Sequence, residues 1–273
     1  MYSIILAAVI SLAVFAGFWK LDVSNLGWSI FWGFLAFIAS MSAINWIVRK
    51  KIMRIMMEMQ EIMTNGQKQI QTKVNKFQSR PTGDPKRLMD EAEKLQKKVL
   101  TDALEFTNNL EKFRKWTPLF GRQLNTTRMQ FYYQMKDFKK VDDLLPRTLI
   151  LDPTSASMKL ARMYSNKADI AEVEKAFNKA AARLKYNQSA LLYALMSWIY
   201  VKNGMPEKAH TLLIKGCKSN ENETLKRNLD RLANNKIREF SNANFGDEWF
   251  ALFLEQPKIQ YRRQQPRMDG RPF

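Results

Sequence analysis

An all-α fold is predicted: a membrane-crossing helical hairpin, a long helical stalk, and a solenoid of about three short helical pairs closed by a capping helix. Three observations predict it. Residues 2–19 and 27–48 are uncharged apolar runs, apolar residues recur at steps of three and four from Ile52 to Phe113, and aromatic, small and bulky residues return in one phase from Tyr132 to Gly216. Steps of three and four place side chains on one face of a helix.

The run 27–48 is about 22 residues long, which at 1.5 Å per residue spans a hydrocarbon layer of about 30 Å. Trp28 and Trp46 stand near its ends and Trp19 closes the first run, where indoles favour the headgroup level. Arg49, Lys50, Lys51 and Arg54 crowd the exit, so that side is expected to be cytoplasmic. The first run, about 18 residues, is either a second crossing or a cleaved signal peptide; no Lys or Arg precedes it and a second apolar run comes soon after, which favours a crossing. Residues 1–48 are thus expected to form a hairpin in a membrane, with both termini cytoplasmic. Ser3, Ala7 and Ser11, Ala13 and Gly17, Ala36 and Ser40, and Ala39 and Ala43 recur at four-residue spacing, for packing between the two helices or for a dimer face. Asn45 lies too near the interface to suggest a transport path.

Residues 49–117 read as a basic helical stalk. A stripe of Ile52, Met56, Met59, Met63, Ile70, Val74 and Phe77 continues from the membrane run. Its methionines suit either an adaptable binding surface or a coiled-coil seam, and its lysines an anionic lipid surface. Residues 80–83 end this helix and Asp84-Pro85 opens another, with a stripe from Leu88 to Phe113. The pair is expected to form an antiparallel hairpin that returns Trp116, Leu119 and Phe120 to the membrane surface; the rival arrangement packs the second helix on the next domain of the chain.

The 273 residues carry 44 Lys and Arg against 26 Asp and Glu, a net charge of +18. This favours anionic partners: phospholipid headgroups, nucleic acid or acidic proteins. Cys217 stands alone, so no internal disulfide forms, and His210 has no metal-ligating or nucleophilic neighbour in the sequence. Phosphate loops, paired-cysteine zinc spacings and nucleophile elbows are lacking. Asp90, Glu91 and Glu93 read as solvated charge. No enzyme, cofactor or metal site is expected.

In the stretch 131–153, Tyr132 ends a helix, Lys136 and Asp137 turn, Val141, Leu145 and Thr148 come next, and Asp152-Pro153 closes. A second copy holds Leu160, Ala161, Tyr164, Val173, Phe177 and Ala180. A third holds Tyr193, Met196, Ser197, Tyr200, Asn203-Gly204, Ala209, Leu213 and Gly216, before Asn220. Tyr132, Tyr164 and Tyr200 are spaced 32 and 36 residues apart, close to a period of about 34. This pattern resembles the tetratricopeptide repeat family, with Val141 and Thr148 standing where the family places alanine. The resemblance covers 122–235 and implies a curved helical solenoid over 118–236 whose concave groove binds peptides or helices of partner proteins.

A helix at 222–235, with Leu225, Leu229 and Leu232 on one face, is expected to cap the solenoid. The aromatic segment 237–257 either folds back over the last repeat or docks another protein. The basic tail, 258–273, is expected to be disordered and to touch anionic lipid. The sequence thus leads to a membrane-anchored scaffold for protein–protein interaction, in a layout that resembles bacterial inner-membrane proteins joining such a hairpin to these repeats. Candidate partner-binding residues are Arg128, Arg162, Lys202, Lys215, Trp249, Phe250 and Phe253. Homo-oligomerisation through the membrane or stalk helices is a further expectation. The alternative is a membrane tether for nucleic acid or ribosomes, resting on the charge and the Arg-rich tail.

Overall fold

The structure is a computed structural model that describes residues 2–20, 25–79 and 85–257. It is 81% helix, without strands among the described residues. The expected turn at 80–83, the expected cap Asp84 and the tail 258–273 lie outside the described residues. Contacts divide the chain into two compact units, Met1–Ile150 and Leu151–Phe273.

In the first unit, α1 (Tyr2–Lys20) lies against the start of α2 (Leu26–Ser79). Ser11 Oγ donates to Gly33 O at 2.7 Å, Phe18 stacks on Trp32 at 6.1 Å, and Ser3, Ala7 and Ser29 are fully buried. Small side chains let the two backbones approach. On the α2 side Gly33 meets Ser11 and Phe15 and Trp32 meets Phe18; Ala36 and Ser40 are half-buried, whereas Ala39 and Ala43 are exposed. The 54 residues of α2 make one helix of about 80 Å, so the apolar run and the stalk are continuous. Asn65-Gly66 does not interrupt it, because an interior glycine costs only about 1 kcal/mol.

The second stalk helix, α3 (Pro85–Phe106), runs back along α2. Met59 clusters with Leu100, Ala103 and Phe131, Gly66 faces Val99, and Lys73 pairs with Glu91 at 3.3 Å. Regular α-helix stops earlier than the stripe, and Thr107–Phe113 is a 3₁₀ helix. Thr107 Oγ1 donates to Leu104 O at 2.6 Å, and Asn108-Asn109 come next, residues whose side chains compete with the helical ladder.

Residues 118–150, assigned from the sequence to the solenoid, belong to this first unit. Phe120 and Leu124 of α4 (Phe120–Gln134) join Val48, Leu110 and Phe113 in one core, and Phe131 joins Met59. Next comes α5 (Phe138–Leu144), capped by Asp137 and followed by a 3₁₀ turn, Leu145–Arg147. Pro146 cannot continue an α-helix. Thr148, expected within the second helix of a repeat, is therefore extended, and its hydroxyl donates to Leu145 O at 2.7 Å.

The second unit is built around α8 (Ala190–Lys202), apolar on every side and buried from Leu191 to Tyr200 except Tyr193. Helices apolar all round belong in a core. Around it lie α6 (Pro153–Ser165), α7 (Ile170–Ala181), α9 (Pro206–Ser219) and α10 (Glu223–Ala233). Asp152 and Asn222 cap α6 and α10 by accepting backbone N–H bonds, and Pro153 and Pro206 open α6 and α9. Ala161, Ala209 and Leu213 are fully or almost fully buried where helices cross.

Among the described residues, four helices end in the same turn. Asp137 N reaches Tyr132 O, Ala168 N reaches Met163 O, Met205 N reaches Tyr200 O, and Lys236 N reaches Arg231 O, at 2.7–3.0 Å. The preceding residues, Lys136, Lys167, Gly204 and Asn235, all have positive φ. A left-handed residue closing an i to i−5 bond satisfies the last helical carbonyls. In the second copy the acceptor is Met163, one position before Tyr164, so the phase read from tyrosines slips by one there.

The aromatic segment folds onto this unit. Phe240 and Phe245 pack on the Ala194, Leu213 and Leu225 cluster, and the short α11 (Asp247–Phe250) carries Trp249, fully buried. Buried amides hold the approach: Asn228 Nδ2 donates to Asn242 Oδ1 at 2.8 Å, and Asn242 Nδ2 donates to Ala194 O at 2.9 Å. Asn220 ties the end of α9 to the start of α8, accepting from Ser189 N at 3.0 Å.

Candidate functional site

Two kinds of surface stand out: the apolar exterior of α1 and early α2, and open clefts between short helices. Along the first, Leu12 is 66% exposed, Phe34 63% and Trp46 66%, and both helices are long and apolar enough to cross a membrane. Trp19 and Trp28 are likewise exposed near the ends of the two helices. Beyond Val48 come the four exposed bases Arg49, Lys50, Lys51 and Arg54, with Lys50 Nζ 5.3 Å from the Trp46 ring centre. The arrangement is an apolar cylinder with aromatic ends and a cationic collar.

The first turn of α1 is tied to the loop after the 3₁₀ helix. Tyr2 N donates to Lys115 O at 2.9 Å, Ser3 Oγ donates to Trp116 O at 2.6 Å, and the Tyr2 and Trp116 rings meet edge to face at 5.8 Å. Trp116 also packs on the core that holds Val48. The start of α1, the end of the α2 apolar run and residues 113–120 therefore share one level.

In the second unit a cleft of about 420 Å³ opens between α7, α8 and α9, lined by Glu174, Phe177, Tyr200, Lys208, Leu212 and Lys215 among others. Lys208 pairs with Glu174 at 3.2 Å and stands 5.6 Å from the Tyr200 ring centre. Burial, and then a hydrogen bond to Glu174, raise the Tyr200 phenol well above the usual tyrosine range. Phe177 and Leu212 supply its apolar surface, and Glu174, Glu207, Lys208 and Lys215 give it both signs of charge. A comparable cleft in the first unit, about 410 Å³, is lined by Leu104, Asn108, Arg128, Tyr132, Lys140 and Leu144 among others.

The candidate residues fare differently. Lys215 is exposed on the α9 cleft. Arg162 is half-buried and donates to Asn166 Oδ1 at 2.9 Å. Lys202 lies 5.2 Å from the Trp198 ring centre and 3.8 Å from Glu255. Arg128 is spent inside the first unit: its side chain, 17% exposed, pairs with Glu111 and donates to Thr107 Oγ1 at 2.8 Å and Asn108 Oδ1 at 2.9 Å. Such a fork fastens the 3₁₀ segment to α4 rather than awaiting a ligand. Trp249 is also withdrawn, its indole donating to Glu255 Oε2 at 2.9 Å; Phe250 is half-buried and Phe253 is 40% exposed. Sequence reasoning missed Trp198 and Glu255, whose link spans 57 positions and follows no local period.

His210 is half-buried on α9, and burial pushes the Cys217 thiol up. Among the described residues no group of three His, Cys, Asp or Glu is placed to hold a metal ion. Compared with known protein families, with characterised proteins and with solved structures, the chain matches none.

Proposed function

We propose that this protein is a membrane-anchored adaptor: α1 and the first half of α2 cross a bilayer as a hairpin, and the short helical pairs, tetratricopeptide-like in character, hold a partner protein at the cytoplasmic face. The single observation that carries the anchor is the exposure of large apolar side chains along α1 and early α2. In water that surface would be an aggregation hazard, whereas in lipid it is the favourable state. The basic collar after Val48 supports cytoplasmic placement of the stalk and the helical pairs beyond it.

Support for the repeat reading comes from the recurring left-handed turn and from the α6–α7 and α8–α9 pairs with alanine at their crossings. The open α7–α9 cleft, with Lys215 on its rim, is where the reading puts a partner helix. Its charge is mixed rather than uniformly basic, which favours protein over nucleic acid.

The test places a photo-activated cross-linker at Lys215, and as a control at Lys236, in the full chain in native membranes. A defined protein adduct from Lys215 alone, persisting at high salt, is the expected result. An adduct to RNA that vanishes with rising salt would replace the reading by the tether, because phosphate contacts weaken steeply with salt. Recovery of the chain in the soluble fraction would remove the anchor.

A further inference from the structure

The loop after the 3₁₀ helix has a feature that the anchor alone does not require. Leu119 has φ 64°, the left-handed region, and is 58% exposed, while the neighbouring Pro118 is exposed as well. A leucine in that conformation is strained by its Cβ against the following carbonyl, and exposing its side chain to water adds to the cost. Beside it, Lys112, Arg114 and Lys115 are exposed within four positions, Arg114 also pairing with Glu111 at 3.6 Å.

The loop's height is set twice over. It is bonded to Tyr2 and Ser3, the first turn of a 19-residue apolar helix about 28 Å long, and it packs through Trp116 on the core of Val48, where the apolar run of α2 ends. If α1 and α2 cross the bilayer, both constraints put residues 116–119 at the headgroup boundary.

Resting on that reading, we propose that this loop is a third membrane contact: Leu119 and Pro118 enter the headgroup region, and Lys112, Arg114 and Lys115 lie against the phosphates of anionic lipid. The occupant is lipid because the loop already adjoins the hairpin's apolar surface and carries the charge that such phosphates complement. Interfacial tryptophan, here Trp116, belongs at the same depth. A base contributes to such binding only within roughly one Debye length of the anionic leaflet. The contact would hold the first unit against the bilayer and stop the stalk from swinging about the end of the apolar run.

The experiment uses the full chain with Cys217→Ser, a single cysteine at Leu119, Leu35 or Thr72, an environment-sensitive fluorophore on it, and reconstitution into vesicles of phosphatidylcholine with or without phosphatidylglycerol. Leu35 lies mid-run and Thr72 far along the exposed stalk. Expected are a blue-shifted emission and severalfold protection from aqueous iodide at Leu119, intermediate between deep Leu35 and accessible Thr72, and stronger with phosphatidylglycerol. Shielded Leu35 with fully accessible Leu119 overturns the loop contact and leaves the anchor standing. Accessible Leu35 overturns the anchor and the proposal together. A second variant, Lys112→Glu with Lys115→Glu, which leaves the Arg114–Glu111 pair intact, should abolish most of the extra shielding in anionic vesicles alone; unchanged shielding removes the electrostatic half of the proposal.

Discussion

Trp198 and Trp249 stand edge to face with ring centres 5.7 Å apart, and both indoles donate to the carboxylate of Glu255, at 2.8 and 2.9 Å. Tyr164 adds a further edge contact to Trp198 at 5.4 Å, and Lys202 stands over the same indole. One carboxylate thus joins the core helix α8 to the chain that closes the unit. Edge-to-face geometry sets the electropositive rim of one ring against the face of the other, and each indole N–H finds an acceptor that burial would otherwise deny it.

Trp249→Ala should therefore cost about 3–5 kcal/mol, as removal of large buried aromatics does. Glu255→Gln should cost about 1–2 kcal/mol, because an amide cannot present two equivalent acceptors to two donors. Urea unfolding of the full chain in detergent, read by hydrogen exchange at the α8 amides, measures both. A wild-type midpoint for Glu255→Gln would deny the carboxylate its role in closure.

Gly66 offers a test in which helix propensity and packing have opposite signs. A Cβ there would come within 2.4 Å of Val99 Cγ2, and a β-branched neighbour cannot swing aside cheaply. Gly66→Ala gains about 1 kcal/mol of helix propensity but should lose about 1–3 kcal/mol to overpacking, for a net loss. Val99→Ala in the same chain should reverse the sign. If Gly66→Ala alone raises the thermal midpoint, α2 and α3 are not packed as described.

Arg128→Met should cost about 1–2 kcal/mol, because Thr107 and Asn108 lose their donor and Glu111 keeps only its longer pairing with Arg114 at 3.6 Å, and Arg128→Lys should cost less, since an ammonium keeps the charge but not the fork. Faster hydrogen exchange over residues 107–113 is the expected signature. Loss of partner capture with unchanged exchange would return Arg128 to the binding surface.

Lys159 supplies the pH dependence. Burial, and then the nearby Lys179 and Arg183, lower its pKa below the ordinary 10.5. Below the lowered value the ammonium is charged in both folded and unfolded chains and its full cost is present; between that value and 10.5 the cost is relieved as pH rises. Lys159→Met should accordingly stabilise the protein at neutral pH, by less than about 1 kcal/mol given solvent screening at this half-buried site. The gain should shrink toward alkaline pH. A gain that grows with pH would have the wrong sign.

Much was legible in the chain order. Charge-free length marked the two candidate spans and three-and-four spacing marked the stalk, because each signal depends on neighbours within a turn or two. Small residues at four-residue spacing also announced a close helical contact, but not which ridge would be used: Ala36 and Ser40 are half-buried beyond Gly33, which meets α1, while Ala39 and Ala43 stay exposed. Either ridge satisfies the local pattern, and only the pairing of two surfaces chooses. The stalk helices likewise had two possible partners, and α3 uses both: Val99 lies on Gly66 and Leu100 meets Met59, while Phe131 joins the same cluster and Lys136 pairs with Glu93.

Tertiary contact alone assigned 118–150 to the first unit, since Phe120, Leu124 and Phe131 are the same apolar residues whether they face a neighbouring repeat or α2. It also withdrew Arg128 and Trp249 from the surface. An arginine or a tryptophan has the same sequence signature whether it awaits a partner or already holds one, and the groups they hold, Glu111 and Glu255, are reached only once helices have packed.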